Sequence, residues 1–137
     1  MTVVAPAARE AVWDRWTDFA RWPDWNPPCI AAALDGPLAP GSTVELHLRH
    51  PRGRDFYTRP RLTGVAPPDE IVWEARALGL RAPTRTTLTA EPDGTRVTID
   101  AGARGPMAFA YKMTVTDRTQ ALIYVAMLDA LSDSVRA

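Results

Sequence analysis

The sequence predicts an α+β fold in which a curved antiparallel sheet wraps a long C-terminal helix. Two short helices stand near the N-terminus, and a hydrophobic cavity remains between sheet and helix. Three observations carry this expectation. Four of the five tryptophans lie between Trp13 and Trp25. The middle of the chain alternates apolar and polar residues in short runs separated by Pro, Gly and Asp, the period-two signature of strands joined by turns. From Asp117 to Val135 apolar residues recur at helical spacing.

The tryptophan-rich stretch reads as a helical elbow. Val12, Trp13, Trp16 and then Phe19 or Ala20 share one side, with Arg9, Glu10, Asp14 and Arg15 on the other. Pro6 sits where a helix favours its first proline. Pro23 has no backbone donor and disfavours the helical region for Trp22, so a second short turn over Trp22–Asn26 is expected at an angle to the first. Such an elbow must bury its rings against a large surface, because each buried aromatic dominates its local energetics. Ahead of it only Met1–Ala5 remains, so either the first strand is clipped to about four residues or its partner edge is covered some other way.

After Pro27-Pro28 the period changes. Cys29–Leu34 is a short apolar strand, and Asp35-Gly36-Pro37 with Pro40-Gly41 forms the loop after it. Ser42–His50 puts Val44, Leu46 and Leu48 on one face and Thr43, Glu45, His47 and Arg49 on the other. Pro51–Asp55 turns the chain, and Phe56–Val65 returns with Phe56, Thr58, Pro60 and Leu62 in phase; Pro60 marks an irregularity or a position without a ladder partner. Glu70–Leu78 groups Ile71, Trp73, Ala75 and Ala77. Ala82–Ala90 groups Thr84, Thr86 and Leu88, and past the tight Glu91-Pro92-Asp93-Gly94 hairpin Thr95–Ala103 turns Val97, Ile99 and Ala101 inward. Hairpin after hairpin gives a meander with one apolar face. The last helix, capped by Thr116 or Asp117, carries a stripe of Ala121, Leu122, Val125, Leu128 and Leu131, widened by Ile123, Tyr124 and Met127.

Bulk properties narrow the function. A chain of 137 residues is one domain, long enough for a core with volume left for a ligand. The 16 basic and 16 acidic residues cancel, which argues against nucleic acid as a partner. A single cysteine, Cys29, forms no internal disulfide and reads as a small apolar filler. No leader and no apolar run long enough to span a bilayer is evident, so a cytoplasmic, reduced setting is expected. Two histidines and one cysteine assemble no metal cluster at usual spacing. No phosphate loop, nucleophile elbow or carboxylate pair is present.

The segments Pro6 to Trp13, Thr17-Asp18-Phe19, Trp22-Pro23-Asp24-Trp25-Asn26-Pro27, Pro40-Gly41-Ser42 and Gly94-Thr95-Arg96-Val97 resemble the polyketide cyclase/dehydrase group of the START-like (SRPBCC) superfamily. The likeness spans nearly the whole chain. It implies the helix-grip fold shared with the Bet v 1 allergen, a single domain over residues 1–137, and a cavity that takes a hydrophobic molecule without any cofactor. The scaffold serves cyclases, lipid carriers and quinone binders alike. The resemblance therefore implies either cyclisation or dehydration of a polyketide-like substrate, or carriage of a lipid, quinone or polyketide without chemistry. It also leaves room for a homodimer, or for a partner protein on the broad apolar surface of the last helix.

Within that frame the cavity wall is expected from the inward phase: Leu46, Leu48, Phe56, Thr58, Trp73, Thr84, Thr86 and Ile99 from strands, Trp25 from the elbow and Met127 from the helix. Apolar walls with a few hydroxyls suit a flat or elongated apolar molecule held by one or two hydrogen bonds. Tyr124, Tyr111 and Asn26 are the candidates for shaping and polarising a substrate, a phenol being able to donate to a developing enolate oxygen. For each tyrosine core packing competes with that role, and for Asn26 a turn position before Pro27 does. His50 at a strand tip and outward-facing His47 are poor acid–base candidates. The arginines Arg59, Arg61, Arg76, Arg85 and Arg96 read as cross-strand partners of Glu45, Glu74 and Asp100 on the solvated face. The sharper alternative is a bulge near Pro60 or Ala82-Pro83 that turns Arg59 or Arg85 into the cavity.

Overall fold

The computed structural model describes residues 1–51, 54–109 and 117–136, with backbone alone at 117. Eight strands, β1 (Thr2–Ala5), β2 (Cys29–Asp35), β3 (Thr43–Leu48), β4 (Phe56–Thr58), β5 (Arg61–Ala66), β6 (Glu70–Ala77), β7 (Leu80–Glu91) and β8 (Gly94–Ala101), form one antiparallel sheet. Their order is β1-β8-β7-β6-β5-β3-β2, with β4 also paired to β3. Helices described in full are α1 (Arg9–Thr17), a 3-10 turn (Phe19–Arg21), α2 (Trp22–Trp25) and α3 (Asp117–Ser134). The meander of hairpins follows directly from the alternating sequence, and α3 lies against the concave face.

The first strand is four residues long, as the short N-terminal segment implied, and pairs Thr2–Ala5 with Thr95–Thr98 of β8. Its end is tied down at the Pro92-Asp93 hairpin. Gly94 has φ +143°, and a β-carbon there would lie 2.0 Å from the Ala5 carbonyl oxygen, so only glycine lets β1 approach. The predicted strand over Phe56–Val65 is split into β4 and β5 by Arg59-Pro60. Pro60 still serves the sheet through its carbonyl, which accepts from the Val44 amide at 2.8 Å.

The elbow bends at a different residue from the one proline chemistry suggested. Trp22 keeps helical dihedrals (φ −52°, ψ −41°), and Pro23 occupies the first turn of α2, where a missing N–H costs nothing. The break is at Asp18, whose ψ of 72° ends α1. Pro6 stands before the helix rather than in its first turn, since α1 opens at Arg9 after Ala8. Phe19, not Ala20, takes the inward position.

The elbow builds one solid core. Trp16, Phe19 and Trp22 are fully buried and Trp13 nearly so. Trp16 and Trp22 have ring centroids 4.7 Å apart, and Trp22 Nε1 donates to the Trp16 carbonyl at 2.8 Å. Trp73 of β6 closes the cluster, stacked on Trp16 at 6.2 Å and edge-on to Phe19 at 5.9 Å. Each such side chain contributes about 1.5–3 kcal/mol of burial, with about 0.5–1.5 kcal/mol more per well-oriented ring pair.

The inward stripe of α3 differs from the expected one. Ile123, Met127, Leu128 and Leu131 are buried, whereas Leu122 and Val125 are each 47% exposed. The two candidate stripes share Leu128 and Leu131, so periodicity alone did not choose between them; the tyrosine-bearing side packs on the sheet. The cap residues Thr116 and Asp117 fall outside the described side chains.

The convex face carries the charges. Arg59 pairs with Glu45 at 3.0 Å, Arg76 with Glu74 at 2.8 Å and Arg85 with Glu70 at 2.9 Å, every one of these arginines more than half exposed. The register is unbroken through Glu74↔Pro83 and Ala75↔Ala82, and the irregularities lie between Cys29 and Ala31 and between Leu62 and Gly64. No bulge therefore turns Arg59 or Arg85 into the cavity. Exposed pairs of this sort contribute only about 0–1 kcal/mol each.

Candidate functional site

Beyond Trp73 the space between sheet and α3 opens into a cavity of about 180 Å³. It is lined by Leu46 and Leu48 of β3, Phe56, Tyr57 and Thr58 of β4, Pro60, Trp73 and Ala75 of β6, Ala82 and Thr84 of β7, Gly102, and Gln120, Ile123 and Tyr124 of α3. The room comes from small residues. Ala75 and Ala82 are register partners, Gly102 follows β8, and all three stand where neighbouring rows carry larger side chains. A cavity of about 150 Å³ accommodates a benzene-sized molecule, so this one receives one ring or a short apolar segment at a time.

Of the residues expected at the site, Leu46, Leu48, Phe56, Thr58, Trp73, Thr84 and Tyr124 come together on the lining. Thr84 Oγ1 and the Tyr124 hydroxyl lie 3.4 Å apart, joining sheet to helix across the cavity. Thr86, Ile99, Met127, Trp25 and Asn26 are not on the lining. Thr86 and Ile99 are fully buried and Met127 is 1% exposed. A two-residue step moves a strand position by about 6.7 Å, which carries Thr86 past Trp73 into the packed end. Tyr111 lies outside the described residues.

Asn26 is 1% exposed, and neither side-chain atom has a hydrogen-bond partner among the described residues; the same holds for Thr86 Oγ1 and the indole nitrogens of Trp16 and Trp25. An unsatisfied buried amide costs about 1–3 kcal/mol. Its backbone does the turn work expected of it, the amide bonding Trp22 O at 2.8 Å and the carbonyl accepting from Cys29 at 2.9 Å.

Tyr57, Pro60, Ala75, Ala82, Gly102 and Ile123 join the lining although the sequence does not single them out as site residues. For Ala75 and Ala82 a signal existed: alanines in the inward phase directly beside Trp73 and Thr84 leave volume that a packed strand would fill. Tyr57, 76% exposed, stands at the rim and stacks on His47 at 4.0 Å, so His47 is held on the outside as its parity required. His50 meets the edge of Phe56 at 6.3 Å. Burial pushes the Cys29 thiol up to about 11, which suits an inert filler. Among the described residues no group of His, Cys, Asp and Glu could hold a metal ion, and no helix is long and apolar enough to cross a membrane.

A sheet gripping a long C-terminal helix, plugged at one end and hollow at the other, defines a START/Bet v 1-like helix-grip protein. The chain belongs to the polyketide cyclase/dehydrase and lipid transport family, whose profile matches residues 1–136. Among solved structures it is similar to the two-domain aromatase/cyclase BexL, with a TM-score of 0.80 and 20% identity over 100% of this chain and 49% of BexL. The Zhui aromatase/cyclase from Streptomyces gives a TM-score of 0.76 and 16% identity, covering 98% of this chain and 90% of that one. The major latex-like protein 151 of Panax ginseng gives 0.80 at only 9% identity, over 100% and 95%. The chain thus spans about half of the two-domain aromatase/cyclases it matches. No protein of curated function matches it in sequence. At such identities the likeness speaks for the fold.

Proposed function

We propose that the protein binds a hydrophobic, polyketide-like small molecule in the cavity beside Trp73 and promotes its cyclisation or dehydration without a cofactor. The observation that carries this is the Thr84–Tyr124 hydroxyl pair, 3.4 Å apart in an otherwise mostly apolar chamber. Apolar walls fold the chain and hold its reacting carbons close, which supplies the entropic part of the barrier reduction. A hydroxyl aimed at a substrate carbonyl oxygen stabilises the negative charge that develops there during enolisation or aldol closure, more strongly in a dry site than in water. The family description and the aromatase/cyclase neighbours agree with this chemistry. Asn26 is proposed to act only if a ligand reaches its buried amide, which has no hydrogen-bond partner among the described residues.

A second reading, carriage without chemistry, is favoured by the lining itself. Its described residues include no carboxylate, imidazole or amine, which leaves phenols as the titratable groups at hand. The two readings separate in one experiment on a poly-β-carbonyl model substrate followed by mass spectrometry. Product in large molar excess over protein, with Tyr124→Phe lowering turnover about 100-fold while binding persists, is the catalytic result. Depletion of substrate only up to the amount of protein, with the compound recovered unchanged on denaturation, makes the protein a carrier.

A further inference from the structure

The β6–β7 hairpin beside the cavity ends in a tip that carries exposed apolar side chains. Leu78, at the turn, is 98% exposed, and Met107 and Phe109 are 46% and 67% exposed. The segment after β8 is clamped to this tip. Arg81 and Arg104 exchange backbone hydrogen bonds of 2.8 and 2.6 Å, and the Met107 amide donates to Gly79 O at 2.9 Å. Glycine is required on both sides: Gly79 has φ +74°, and a β-carbon on Gly105 would stand 2.5 Å from Gly79 O. The apolar side chains are therefore presented by an ordered scaffold.

Charge is segregated at the same place. Residues 75–90 and 101–109 contain no Asp or Glu, although the whole chain is neutral. Arg76 and Arg81 are register partners, and Arg104 faces Arg81 across the bridge, so three guanidiniums share one row. Like charges directly opposite on a sheet are destabilising. Among the described residues only Glu74 answers them, at 2.8 Å from Arg76 and 3.9 Å from Arg81; Arg104 has no carboxylate there within 4 Å, and Arg61 faces that same Glu74 across the sheet. Arg59, Arg61 and Arg76 continue the belt along a groove on the convex face.

We propose that this end of the molecule docks on an anionic lipid bilayer. Leu78, Met107 and Phe109 enter the interface while Arg76, Arg81 and Arg104 lie against headgroup phosphates. A basic girdle around protruding apolar groups is the arrangement that interfacial binding needs, the apolar part supplying insertion and the arginines attraction to the negative surface. A single leucine standing almost free at a turn fits a deformable bilayer better than a protein, whose stable interfaces need about 1,000 Å² of complementary surface. Two register pairs, Arg76↔Arg81 and Ala77↔Leu80, separate the docked tip from Ala75 and Ala82 of the cavity lining, so an apolar molecule dissolved in the bilayer meets the cavity close to where the protein touches it. The docking stands whether the cavity catalyses or only carries.

The test is flotation of the whole chain with phosphatidylcholine vesicles, with and without phosphatidylglycerol. Binding is expected only to the anionic vesicles, falling as salt rises and by at least about fivefold for each of Arg81→Glu and Arg104→Glu, since each reversal removes one attractive charge and adds a repulsive one. Leu78→Ser with Phe109→Ser, which leaves charge unchanged, is expected to release the protein as well. Arg96→Glu, the same charge change at the opposite end of the sheet beside Glu91, leaves binding within twofold of wild type on this account, about the effect of a distant screened charge. Absence of binding to anionic vesicles overturns the proposal. Binding that needs the arginines but ignores the serine double variant overturns it too, and identifies a surface for an acidic macromolecule. Quenching of tryptophan fluorescence by an apolar cavity ligand, measured on the same variants without vesicles, reports on the cavity separately.

Discussion

The two halves of the concave face use the same strands to opposite ends. On one side Trp16, Phe19 and Trp22 pack without space against Trp73, all 3% exposed or less. On the other, two residues along the same strands, Ala75 and Ala82 face each other and a chamber opens. Trp73 belongs to both, a wall of the chamber whose ring is fixed by the indole cluster behind it. Rigidity in one half is what gives the other a defined shape, since a ring locked by packing holds a site more accurately than one on a loop. Stability and binding are thereby separable by mutation.

The largest effect is expected on the packed side. Trp16→Ala removes a fully buried indole that touches three other aromatics, and should cost about 3–5 kcal/mol, enough to unfold a marginal domain. Chemical denaturation followed by circular dichroism measures it; a loss under about 1 kcal/mol would show that the cluster is not the structural anchor.

A smaller effect is read by pH. Cys29, 2% exposed, is the register partner of Leu48, and burial lifts its thiol from 9.0 to about 11. The neutral thiol is the form the fold favours, so its contribution is intact below pH 9 and is lost as pH rises toward 11. Iodoacetamide should accordingly label the native protein far more slowly than the unfolded chain at pH 9, and Cys29→Ala should flatten stability above that pH. Equal labelling rates would place the thiol in solvent.

How much of this was legible beforehand follows the same division. The strands, their inward phases and the elbow could be read because alternation and aromatic crowding are local signals. Leu46, Leu48, Trp73 and Thr84 fell on the cavity wall for that reason. Where along a strand the core stops and the chamber begins was not legible, so Thr86 and Ile99 were expected on a wall that ends short of them. That boundary depends on which row meets the elbow, a matter of tertiary register. The stripe of α3 was ambiguous for a similar reason, since two faces sharing Leu128 and Leu131 satisfy one helical period. The bend at Asp18 had no sequence marker as plain as Pro23.

The most direct test of the division is Ala82→Leu, which projects an isobutyl group into the chamber opposite Ala75. Binding of an apolar fluorescent ligand is measured by titration beside thermal denaturation of the same sample. The account predicts that ligand binding disappears while stability shifts by no more than about 1–3 kcal/mol, because the new side chain fills space rather than displacing packed groups. Undiminished binding in a stably folded Ala82→Leu protein would contradict it, and would move the ligand out of the chamber beside Trp73.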